Sequence, residues 1–152
     1  MSELSVQTGI QTALRSMSEF ADGDVVINDW SILDEEMSNS PYVIISTADD
    51  FDSRQDVVTP ENGWDILLFL YVRWTNWSDT MNDFRDYRQA IIDKINSDTV
   101  RSAGGLEGVN IVRMYNGSAV EPYYDPYITP EQYDEAMPDF LWQVLVLETE
   151  EF

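Results

Sequence analysis

Neither cysteine nor histidine occurs among the 152 residues. The first absence removes disulfides, thiolate metal sites and cysteine nucleophiles together. The second removes Ser–His triads, imidazole general bases, histidine-held haem and nearly every zinc hydrolase. Lysine is almost missing too, Lys94 being the only one. Long apolar runs are lacking. The longest, Ile66 to Val72, has the length of a strand, far short of the roughly 20 residues of a membrane-spanning helix. Met1-Ser2-Glu3-Leu4 has neither the basic region nor the apolar stretch of a targeting segment, so a soluble chain with no membrane partner is expected.

Acid is what the chain has in excess. Asp and Glu number 29 against eight Arg and Lys, a net charge of −21 with a pI near 4.1. Such a surface repels nucleic-acid phosphates and anionic lipid. A monomer of this mass exposes roughly 7,900 Å², which spaces the excess charges about 20 Å apart. One subunit tolerates that field; several packed together would feel it strongly unless salt were high. The composition resembles that of proteins from salt-in halophiles, such as haloarchaea and their viruses. The excess is also unevenly placed. Residues 66–105 hold five bases (Arg73, Arg85, Arg88, Lys94, Arg101) against five acids (Asp79, Asp83, Asp86, Asp93, Asp98), so the flanks carry the imbalance.

Length and composition fit one domain, residues 1–152, with 43% hydrophobic and 12% aromatic residues to build a core. Val6, Ile10, Ala13, Leu14 and Met17 recur at helical spacing, with Ser2 or Ser5 as a cap and Asp22-Gly23-Asp24 as the stop. Val25 to Ile27 reads as a short strand. Tyr42 to Thr47, β-branched and preceded by Pro41, reads as another. Trp64 to Trp74 is the strongest strand. Trp64, Ile66, Leu68, Leu70, Val72 and Trp74 make a wholly apolar face; Asp65, Leu67, Phe69, Tyr71 and Arg73 make a mixed one, to be partly covered or used at an interface. Ser78-Asp79 is expected to cap a second helix to about Asn96, with Met81, Phe84, Arg88, Ile91, Ile92 and Ile95 inward. Val109 to Tyr115 alternates as a strand, Asn116-Gly117 offers a two-residue turn before Ser118-Ala119-Val120, and Phe140 to Leu147 closes as a buried strand. Residues 49–63 and 122–138 are extended loops. The order predicts an α+β domain, a mostly antiparallel sheet with two main helices packed on it.

The carboxylates invite an enzymatic reading, because paired acids hydrolyse glycosides and Trp64, Trp74 and Trp77 are candidates to stack on a sugar. Asp49, Asp50 and Asp52 offer oxygen to a hard cation. With this many acids, however, adjacent pairs arise by chance, and no segment has calcium-loop spacing. Gly104-Gly105 has no lysine partner and reads as a turn. Asn76-Trp77-Ser78 and Asn116-Gly117-Ser118 match the glycosylation pattern by chance. The sequence therefore assigns no catalytic, cofactor-binding or metal-binding residue, and a non-enzymatic protein is expected.

A leading amphipathic helix, Pro41 before a β-branched strand, a long polar loop, the Trp64–Trp74 strand, a helix with Arg85, Arg88, Ile91-Ile92 and Ile95, a glycine break and closing strands follow in order. This arrangement over residues 4–148 resembles the tail terminator, or tail completion, proteins in the neck of long-tailed viruses. The resemblance implies a homo-oligomeric ring, usually of six subunits, in the virion. Such a ring caps the tail tube, meets head-side neck proteins and lets DNA pass without specific binding. With the halophile-like charge it suggests a haloarchaeal virus, the ring being assembled in the host cytoplasm. The loop 49–63 is expected to be an arm reaching a neighbouring subunit or the tube protein, through Asp50, Phe51, Asp52, Arg54, Val57 and Val58. A head-closure or tube-forming neck protein would have more strands and fewer helices. A small acidic enzyme would need a concave site with perturbed carboxylates.

Overall fold

Alternation and helical spacing produce the two helices and most of the strands they predict. A strand at Glu121–Tyr123 stands in place of the one expected at Ser118–Val120, and it takes Pro122 and Tyr123 out of the expected 122–138 loop. The computed structural model describes residues 3–31, 40–47, 63–97, 109–124 and 137–151. Helix α1 spans Glu3–Arg15 and α2 spans Trp77–Ile95; a 3-10 turn covers Ser18–Phe20. The strands are β1 (Asp24–Ile27), β2 (Tyr42–Thr47), β3 (Gly63–Arg73), β4 (Val109–Asn116), β5 (Glu121–Tyr123) and β6 (Phe140–Glu151). They form one sheet in the order β1-β2-β3-β6-β4, with β5 also paired to β6. Among the described residues β1 and β2 pair in parallel and the other pairings are antiparallel. The α+β expectation is met.

Both helices lie on one face of the sheet. Val6, Ile10, Ala13, Leu14 and Met17 of the predicted stripe are buried with Phe84, Ile91 and Ile95 of α2 against Ile66, Leu68, Leu70 and Val72. From the neighbouring strands come Val43, Ile45, Leu141, Leu145 and Leu147. Trp64 and Trp74 pack partly buried at the margin of this core. Burying a side chain such as Leu68 is worth about 1.5–3 kcal/mol, so this layer supplies most of the driving force for folding. Two polar contacts are made beneath the helices, while the buried Trp74 Nε1 has no hydrogen-bond partner among the described residues. The Gln7 amide donates to the Thr47 hydroxyl at 2.9 Å, and the Arg88 guanidinium donates to Gln143 Oε1 at 2.8 Å.

Three local readings are corrected. The first helix stops at Arg15 rather than at Asp22, because the Ser16 hydroxyl donates back to the Ala13 carbonyl and Met17 N–H tightens onto Leu14. Ser5 falls inside α1, and Ser2 lies outside the described residues. Helix α2 is capped by Asn76, whose side chain accepts from Asp79 N–H at 2.8 Å, and not by Ser78. The Thr80 hydroxyl, buried one turn in, accepts from the N–H groups of Thr75 and Asn76. Asn116-Gly117 makes no hairpin. Strands β4 and β5 lie end to end on the same edge of β6, and the residues between them bulge. The ladder is carried across by Gly117 N–H to Val144 O (2.8 Å) and Val144 N–H to the Ser118 hydroxyl (3.1 Å). A Cβ on Gly117 would stand 2.7 Å from a Val146 methyl, so the close approach requires glycine.

Candidate functional site

The second face of the sheet carries neither α1 nor α2. Registers set its rows: Tyr42, Tyr71 and Trp142 lie abreast, as do Ile44, Phe69 and Val144, and as do Ser46, Leu67 and Val146. One end forms a small second core of buried Tyr42, Ile44, Tyr71 and Phe140, with Val26, Trp30, Phe69, Tyr123 and Trp142 packed partly buried around it. Its rings meet in preferred geometries. Tyr71 is edge-on to Phe140 at 4.9 Å and stacked with Trp142 at 6.5 Å. Tyr123 lies parallel to Phe140 at 4.5 Å, and Trp30 meets Phe69 edge-on at 4.8 Å. Towards the centre, Leu67, Phe69 and Val144 are only half-buried. Of the two alternatives expected for the mixed face, partial cover is what one end shows, and the middle leaves aliphatic and aromatic area half-exposed.

The electrostatics of this face suit packing better than acid–base chemistry. Burial, followed by the influence of Tyr123, pushes the Tyr71 phenol well above the ordinary tyrosine range, so it stays neutral. The Ser46 hydroxyl is buried and has no hydrogen-bond partner among the described residues. At the opposite end a bulge between Ile111 and Arg113 brings Arg113 opposite Glu148. Two parallel N–H···O contacts of 2.8 and 2.9 Å join them, and the guanidinium lies 4.6 Å from the Tyr115 ring centre. The Glu148 carboxylate raises the Arg113 pKa, first by hydrogen bonding and then by its charge. Asp29 lies below the usual carboxylate range because the Ser31 hydroxyl and then the Ser31 N–H hydrogen-bond to it.

Asp50, Phe51, Asp52, Arg54, Val57 and Val58, the expected arm contacts, lie outside the described residues, as does Asp49. Trp64, Trp74 and Trp77 do not make one sugar platform. Trp64 and Trp74 are ten strand residues apart, about 33 Å. Trp77 meets only Trp74 of the two, edge-on at 5.0 Å. Among the described residues no group of three or more Asp and Glu is arranged to hold a metal ion, and no helix is long and apolar enough to cross a membrane. Sequence reasoning missed Trp30, whose contact with Phe69 depends on the sheet, and the Arg113–Glu148 pair, which depends on a bulge. Gln143, a lone amide in an apolar run, was a usable signal for the Arg88 contact. Neither a scan of protein-family models nor a search of curated proteins finds a match to this sequence.

Proposed function

We propose that this chain is a structural subunit of a virion neck, forming a ring that terminates the tail tube and joins it to the head. The observation that carries the reading is the one-sided sheet. Two helices cover one face, while the other presents half-buried Leu67, Phe69, Val144 and Trp142 around neutral aromatic rings. A surface of this kind serves packing against protein. The carboxylate excess supports the same reading, because a bore lined with acid gives passing DNA no counterions to release and so no hold. High external salt screens the repulsion between neighbouring subunits and permits assembly. In this reading the partners are further copies of the chain, the tube protein and head-side neck proteins. Asp50, Phe51, Asp52, Arg54, Val57 and Val58 reach the neighbour, and the chain has no catalytic role.

Light scattering of the purified protein in 2 M potassium chloride tests the proposal. A mass several times the 17.5 kDa of one chain is expected, six-fold for the ring that the family resemblance implies. A single-chain mass at every concentration contradicts it.

A further inference from the structure

Helix α2 carries two sectors of opposite sign, an exposed acidic one and a basic one that is partly exposed. At 100° per residue, Trp77, Met81, Arg85 and Arg88 fall within about 80° of one another, and Asp79, Asp83, Asp86 and Asp93 cluster about 160° away. The first sector faces the β5–β6 side, because Arg88 reaches Gln143 and Gln143 in turn donates to Ser118 O at 2.8 Å. Trp77 is 58% exposed, a large apolar surface at the start of the helix. Met81 and Arg88 are half-buried and Arg85 is exposed. Among the described residues neither Arg85 nor Arg88 has a carboxylate partner. In a chain with 29 acids and eight bases, two cations of one flank with no carboxylate partner among the described residues are the unexpected arrangement.

We infer that the Trp77–Met81–Arg85–Arg88 flank is the docking surface for a second copy of this chain, received through the Asp83/Asp86 sector of its α2. This rests on the ring reading above and names the contact that builds it. Charge complementarity selects the occupant, since Arg85 and Arg88 face the one sign that another copy has in excess. Two sectors on opposite sides of one helix cannot satisfy each other reciprocally across a twofold axis. The contact is therefore head-to-tail, the class that generates rings where the rotation closes and filaments where it does not. Trp77 and Met81 supply the apolar area that excludes water from the arginine–carboxylate pairs. Pairs so desolvated are screened far less than exposed ones, so the contact persists in molar salt.

Sedimentation velocity in 2 M potassium chloride tests this with four proteins: wild type, Arg85→Glu, Asp86→Arg and Trp77→Ala. Circular dichroism melts confirm folding, and the exposed Arg85 and Asp86 leave the fold intact. Wild type is expected to assemble, and each variant alone to associate at least about tenfold more weakly. An equimolar mixture of Arg85→Glu and Asp86→Arg is expected to regain assembly, because the exchanged charges meet across alternate contacts. Wild-type assembly with undiminished association of Arg85→Glu and Trp77→Ala overturns this contact and leaves the ring reading standing. A wild type that stays a single chain overturns the ring reading, and this contact with it.

Discussion

Single residues decide where the backbone departs from its simplest course. Ser118 and Gly117 turn an expected hairpin into a bulged edge because a hydroxyl accepts the Val144 N–H and a missing Cβ lets Val146 approach. Gly23 is held as tightly, since a Cβ there would overlap the Pro41 carbonyl oxygen. Tyr71 and Tyr87 are expected to lower stability at alkaline pH. Burial raises both phenols, with Tyr123 adding to Tyr71, and with Asp83, Asp22, Asp86 and Glu19 adding to Tyr87. An unfolded tyrosine loses its proton near pH 10. Above that pH the unfolded chain binds fewer protons than the folded one, so stability falls as pH rises. Thermal midpoints from pH 8 to 11 should drop in the wild type and drop less in Tyr71→Phe. An equal drop in both would show that Tyr71 contributes nothing.

At the scale of elements, periodicity was the readable signal. The α1 stripe and the Ile66, Leu68, Leu70 and Val72 positions of the apolar face of β3 are buried, with Trp64 and Trp74 partly buried at its ends, because one face of each element must leave water whatever the topology. Leu14→Ala should therefore cost about 2–5 kcal/mol. Leu4→Ala, at a position 62% exposed in the same helix, should change stability by less than about 0.5 kcal/mol. Urea unfolding of the two variants measures the contrast, and equal losses would contradict the assigned helix face. What periodicity does not carry is partner choice between strands. The parallel β1–β2 pairing, the shared β4/β5 edge and the Arg113–Glu148 contact all depend on register, which is fixed only when strands meet. The face opposite α1 and α2 was legible as a mixed row on β3. Its ring cluster was not, because Trp30, Tyr123 and Phe140 come from three distant segments.

For the whole molecule, the ring proposed above sets apolar burial, which favours packing copies together, against charge, which opposes it. Twenty-one excess negative charges should make salt a determinant of stability and, in the proposed ring, of assembly. Melting midpoints at 0.1 M and 2 M potassium chloride should differ by many degrees, with the higher value in high salt. Equal midpoints would remove the halophilic reading without touching the fold. The central claim is that this one-sided α+β subunit is built to form a ring. Its most direct test is an electron-microscope image of the purified protein in 2 M potassium chloride. The account predicts closed rings of uniform size around an open centre, and a field of separate 17.5 kDa particles would contradict it.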